Sequence, residues 1–195
     1  MFTETSFPSH DQWQCILMDL LKHKPDKRHI YWIYEEDGNV GKTSFCKHMA
    51  IKHPKEFLMV SGKANDIKFG VSNFVNNKKN NLKYCFFHFT RQVEDFVSYE
   101  AIESVKDGIF YNNKYESSMC VFNTPHVVVF ANFAPERKKM SNDRWKVYLI
   151  RPHPNEWDYV MELSKADKSK KVVKVDNLIC KSTDAYDDDD DDDDE

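Results

Sequence analysis

Apolar residues in this chain cluster in short, nearly unbroken runs, with helix-like spacing between them. Residues 30–34 (Ile, Tyr, Trp, Ile, Tyr), 57–61, 84–89 (Tyr, Cys, Phe, Phe, His, Phe), 126–131 (His, Val, Val, Val, Phe, Ala) and 146–150 predict strands. Runs without polar alternation are expected where a strand is buried on both faces, as in a parallel sheet. Residues 9–22 predict a helix capped by Ser9, with Trp13, Ile16, Leu17, Leu20 and Leu21 on one face. A second helix runs over 43–52 and is stopped by Pro54. A third covers 65–75, where Ile67, Phe69, Val71 and Phe74 are not cleanly amphipathic. A fourth spans 98–106, capped by Ser98 and closed by Gly108. Residues 109–121 alternate about Asn112 and Asn113, which predicts a hairpin turning at that pair. Strands alternating with helices predict an α/β domain of three layers around a central, mostly parallel sheet. The expected divisions are an N-terminal helix and connector (1–28), the α/β domain (29–152) and a C-terminal extension (153–195). From residue 164 that extension turns lysine-rich and then acidic, and disorder is expected.

Composition changes this picture in two ways. The formal charge of −4 comes from an unbroken acidic run, Asp187 to Glu195; without it the basic residues exceed the acids by about five. A basic body is compatible with a polyanionic partner. The cysteines (Cys15, Cys46, Cys85, Cys120, Cys180) are odd in number, scattered and without a C-x-x-C pair. That argues against a disulfide framework or zinc site, and for a reducing compartment, nucleus or cytoplasm. No apolar run approaches the length that spans a bilayer, so no membrane is expected as a partner.

The chemistry centres on residues 30–47. A buried strand, a polar loop ending Gly41-Lys42-Thr43, and a helix opening at Thr43 form the layout of a phosphate-binding P-loop. Backbone N–H groups at a helix N-terminus point at an anion that the helix dipole also favours. Gly38, Asn39, Val40, Gly41, Lys42, Thr43 and Ser44 are the expected nucleotide-binding residues. Lys42 is expected to reach the terminal phosphates of ATP, and Thr43 to ligate Mg2+. The first glycine of G-x-x-x-x-G-K-[ST] falls on Glu36, a departure that Gly38 and Gly41 leave room to absorb.

A P-loop also needs an acid on a second strand, to hold Mg2+ and polarise water. That slot holds His88, and a neutral imidazole is a poor ligand for a hard cation. Glu94 and Asp95 would substitute if their loop folds back; alternatively Thr43 and phosphates hold the metal alone. His88 itself reads equally as a hydrogen-bonded core histidine. Asn132 ends a strand at the carboxyl edge of the sheet, where an amide can address a γ-phosphate; a turn cap is the plainer reading. Arg144 is an arginine-finger candidate for a neighbouring subunit, against a surface ion pair with Asp143 or Glu136, and Arg91 ranks second. At the expected hairpin tip, Lys114, with Lys106 nearby, could grip a phosphate backbone while Tyr115 stacks on a base.

With these residues assembled, residues 13–150 resemble the helicase domain of replication-initiator (Rep) proteins from circular single-stranded DNA viruses of the nanovirus and circovirus kind. Those are superfamily-3 helicases with an AAA+ core. The resemblance rests on Trp32 through Thr43, the strand through Thr90 and Arg91, residues 98–110 with 114–117, residues 125–132 with Pro135, and residues 141–145. It implies a homo-oligomeric, hexameric ring that binds ATP between subunits and moves 3′-to-5′ along one DNA strand. Lys42 and Thr43 take the Walker A positions, Asn132 the sensor asparagine, Lys114 the DNA-gripping hairpin and Arg144 the finger. His88 stands where the family has an aspartate. Full-length members also begin with a nicking domain for which there is no room before Trp13, so nicking is not expected of this chain.

The expected function is therefore ATP-dependent translocation on single-stranded DNA during rolling-circle replication. The alternative is an oligomeric DNA-binding or assembly module that binds ATP and hydrolyses it weakly. A packaging or RNA-translocating motor is a third reading.

Overall fold

A computed structural model describes residues 12–114, 117–152 and 159–163. The elements in order are α1 (Gln12–Lys22), β1 (Ile30–Tyr34), α2 (Lys42–Lys52), β2 (Phe57–Val60), α3 (Ala64–Asn76), β3 (Tyr84–His88) and α4 (Tyr99–Asp107). They continue with β4 (Ile109–Asn112), β5 (Ser118–Val121), β6 (His126–Ala131), β7 (Trp145–Pro152) and β8 (Tyr159–Leu163). Short 3-10 turns cover Arg91–Phe96, Arg137–Lys139 and Asn142–Arg144.

The main sheet has the order β2-β3-β6-β1-β7-β8. The first five strands are parallel, and β8 is an antiparallel edge on β7. This is an α/β fold with a mostly parallel central sheet, as the uninterrupted apolar runs predict. Successive side chains of a strand point to opposite faces, so both faces of β1, β3 and β6 need apolar cover. Trp32, Cys85, Phe87, Val127 and Val129 pack on one side with Ile67 and Val71 of α3 and Ala101, Ile102 and Val105 of α4. Their neighbours Ile33, Phe86, Val128 and Phe130 pack on the other side with Phe45, Cys46 and Met49 of α2 and Trp13, Leu17 and Leu21 of α1.

The expected hairpin turn is corrected here. The hairpin does not turn on Asn112-Asn113: Asn112 pairs with Ser118, and the connection takes residues 113–117. Asn112 is buried, and its Oδ1 accepts a hydrogen bond from the Lys114 backbone N–H at 3.1 Å. The asparagine thus builds the turn with its side chain rather than with a left-handed backbone. Beyond Pro152, β8 pairs with the full second half of β7, ahead of the segment from residue 164 where disorder is expected. The α1 helix is not set apart from the α/β body, since Trp13 and Leu17 are wholly buried in its core. Ser9, Tyr115, Cys180 and the acidic run lie outside the described residues.

Candidate functional site

The loop after β1 owes its curl to three residues of positive φ: Gly38 at 95°, Asn39 at 63° and Gly41 at 81°. Glycine adopts that region freely, and asparagine tolerates it better than most residues. Gly41 then caps α2, whose first turn begins at Lys42, and Phe45 N–H donates to Gly41 O at 3.0 Å. The loop is buttressed from behind by α1. Trp13 Nε1 donates to Val40 O at 3.0 Å, and Gln14 Nε2 lies 3.4 Å from Gly41 O.

The loop borders a cavity of about 260 Å3 lined by residues 38–44 together with Glu35, His88 and Asn132. Whole-ligand pockets run to roughly 300–1,000 Å3, so this one is the size of a phosphate chain rather than a complete nucleotide. Three strands converge on it, because β1, β3 and β6 run side by side and end at the same edge. Glu35 follows β1, His88 ends β3, and Asn132 follows β6.

Glu35 is the residue that sequence reasoning missed. Its carboxylate is buried and accepts from Lys42 Nζ, from the Gly38 N–H and from Asn132 Nδ2, the last at 2.5 Å. Lys42 is buried as well, and its Nζ also donates to Ala131 O at 3.2 Å. One carboxylate thus gathers a loop N–H, the lysine that opens α2 and the strand-end amide, which are donors suited to a phosphate. The signal available in the sequence was an acid placed directly after a buried strand, seven residues before the lysine.

Other expected site residues divide. Thr43 and Ser44 are exposed at the mouth. His88 is half-buried; desolvation, then the nearby Lys42 charge, push its pKa down and favour the neutral imidazole. Glu94 and Asp95 are exposed on their turn and do not line the cavity. Arg91 reaches the loop instead, donating to the Glu36 carbonyl.

Arg144 is not brought to this site. It precedes β7, at the amino edge of the sheet, and is buried. Its Nη2 donates to Asp107 at 2.8 Å, and its Nε forms an ion pair with Glu103, also at 2.8 Å. Two carboxylates of α4 therefore hold the guanidinium within its own subunit, at the sheet edge opposite the loop. Lys106 is no hairpin-tip cation either. It is wholly buried, donates from Nζ to Pro125 O at 3.0 Å, and burial pushes its pKa down to about 8. Lys114 does lie in the hairpin connection, partly exposed, where its Nζ pairs with Asp66 of α3.

Among the described residues, no cluster of three or more His, Cys, Asp or Glu is arranged to hold a metal, and no helix is long and apolar enough to cross a membrane.

No family model matches the chain. Curated relatives do. The chain is 39% identical over 139 residues to "Para-Rep C6" of Subterranean clover stunt C6 alphasatellite, covering 69% of this chain and 46% of that protein. It is 35% identical over 127 residues to the "Master replication protein" of Milk vetch dwarf virus (isolate N), covering 65% of this chain and 41% of the relative. It is 32% identical over 137 residues to "Para-Rep C9" of Faba bean necrotic yellows C9 alphasatellite, covering 69% and 46%. The chain spans less than half the length of these relatives.

Proposed function

We propose that this chain, a homologue of the nanovirus and alphasatellite replication proteins over about two thirds of its length, is an ATP-dependent translocase on single-stranded DNA. Its setting would be rolling-circle replication of a small circular genome, in the nucleus or cytoplasm. The sheet, the loop and the block order support an AAA+ core of the superfamily-3 kind, working as a homo-oligomeric ring. The observation that carries the reading is the convergence of Gly38 N–H, Lys42 and Asn132 on one anionic point at the carboxyl edge of the sheet.

The residues present fit a triphosphate. The left-handed loop presents its N–H groups, Lys42 offers a buried ammonium, and Asn132 offers an amide where a γ-phosphate would end. The small cavity suits a nucleotide whose base and sugar lie outward, against a neighbouring subunit. The fit to Mg2+ is thinner: Thr43 contributes a hydroxyl, and Glu35 is the acid within the cavity lining. A bound Mg2+ would neutralise charge developing on the phosphates. Binding phosphate requires Lys42 to turn from Glu35 toward the ligand. That frees the Glu35 carboxylate to orient water, a task neutral His88 serves only as a hydrogen-bond partner. Arg91, seated on the loop carbonyl of Glu36, is the arginine held at the loop within one subunit, and Arg144 stays the finger candidate for a neighbouring subunit. Lys114 remains the hairpin contact for DNA.

The test is steady-state hydrolysis of ATP with Mg2+, with and without single-stranded DNA, beside Lys42→Ala. Turnover that rises with DNA and vanishes in the variant is expected. Nucleotide binding without turnover would overturn the motor and favour a weakly hydrolysing assembly module, a reading supported by His88 in the acid's place.

A further inference from the structure

We propose that a basic cleft at the amino edge of the sheet binds the phosphate backbone of single-stranded nucleic acid, as a second site that goes beyond the nucleotide pocket and hairpin of the functional reading. The cleft has a volume of about 670 Å3. Lys22 lines it from the end of α1, His23, Lys24 and Lys27 from the segment joining α1 to β1, Lys83 from just before β3, and Thr124 from just before β6. Every one of these segments enters a parallel strand, whereas the P-loop, His88 and Asn132 lie where parallel strands end. The two sites therefore occupy opposite edges of the sheet.

The chemistry of the cleft selects a polyanion. Among the described residues four lysines line it, and no aspartate or glutamate does. Lys22 Nζ is held at 2.7 Å from Asp19, and Lys83 Nζ stands 5.0 Å over the Tyr84 ring. Behind the cleft wall, His126 stacks on Tyr84 with centroids 5.8 Å apart, and its Nε2 lies 2.8 Å from the His23 carbonyl. That buried layer ties the three contributing segments together, so the lysines sit on a fixed frame rather than on independent loops. Among the described residues no Phe, Tyr or Trp lines the cleft, so they offer no stacking on bases. Recognition is then of phosphates, independent of sequence and strongly dependent on salt.

The test measures fluorescence anisotropy of a labelled single-stranded oligonucleotide with the full chain, without ATP, across a salt series. The variants are Lys24→Gln with Lys27→Gln, both exposed positions, and separately Lys114→Gln. Losing two phosphate contacts should weaken binding roughly twentyfold at low salt. It should also reduce the slope of log affinity against log salt by about 1.4. If the double variant keeps the affinity and slope of the parent while Lys114→Gln loses binding, the cleft proposal is overturned and the hairpin stands. If the double variant loses binding and Lys114→Gln does not, the cleft stands without the hairpin. A third outcome is that only a chain lacking residues 182–195 binds, with carbodiimide joining these lysines to the acidic run in the full chain. The cleft would then hold the protein's own acids, and the nucleic-acid proposal would be overturned. None of these readouts depends on ATP turnover.

Discussion

Replacing Glu35 with Gln should make the protein less stable and its phosphate site stronger. In the parent, both members of the Glu35–Lys42 pair are nearly closed to solvent, with side-chain exposures of 3% and 7%. Glutamine can still accept from one or two of the three donors, but it leaves the Lys42 ammonium without a counter-charge, facing only neutral acceptors such as the Ala131 carbonyl. Breaking one partner out of a buried pair costs about 3–5 kcal/mol. The open mouth of the cavity lets water reach the site, which moves the expectation to the lower bound, about 3 kcal/mol. For a chain of this size that corresponds to a fall in Tm of roughly 6–12 °C. An anion bound in the loop supplies the missing counter-charge, so ligand should restore more stability to the variant than to the parent. If half of the lost energy returns on binding, pyrophosphate or ATP binds roughly tenfold tighter to the variant. Thermal unfolding with and without each ligand reads both effects. A variant whose Tm and ligand response both match the parent would refute the idea that Glu35 occupies the phosphate position.

Other perturbations follow from the same geometry. His88→Asp places an acid at the end of β3, and a gain in ATP turnover is expected if the site is a degraded motor; unchanged turnover would show that Glu35 already serves. Trp13→Ala should cost about 3–5 kcal/mol and weaken nucleotide binding, whereas Trp13→Phe should lose chiefly the hydrogen bond to Val40, about 1 kcal/mol; chemical denaturation and nucleotide titration compare them. Lys106→Met should stabilise the protein by up to about 3 kcal/mol at neutral pH, with DNA affinity unchanged. Burial lowers the folded pKa of Lys106 to about 8 from 10.5, so the cost of the buried charge is fully present below pH 8. It fades as pH rises toward the unfolded value, and the advantage of the variant should shrink over that interval in pH-dependent unfolding. Burial likewise lowers the pKa of His126, so its neutral form contributes stability above the unfolded pKa near 6.5 that is lost as pH falls below it; His126→Phe should flatten that acid limb.

Much of this protein was legible in local pattern. Five buried strands between helices announce a parallel sheet, because a strand covered on both faces has no polar alternation to show. The strand–loop–helix at residues 30–52 was legible for a similar reason: strand, Gly38, Gly41 and helix are contiguous, and the backbone geometry they need is local. The hairpin was visible as alternation, but its turn was not, because the choice between a left-handed Asn112 and a side-chain bond to Lys114 depends on Asn112 being buried. Tertiary structure alone decided the fate of the charged residues. Glu35 meets Asn132 across 97 positions of sequence, and Trp13 reaches the loop carbonyl of Val40 from a helix that sequence reading set apart. Arg144 and Lys106 look like surface cations in the chain and are buried in the fold, held by α4 carboxylates and the Pro125 carbonyl. Periodicity reports which positions are apolar, since burial of apolar area repeats with the backbone. It carries no record of which distant partner satisfies a buried charge, and that pairing separates the residues at the candidate site from those that only hold the protein together.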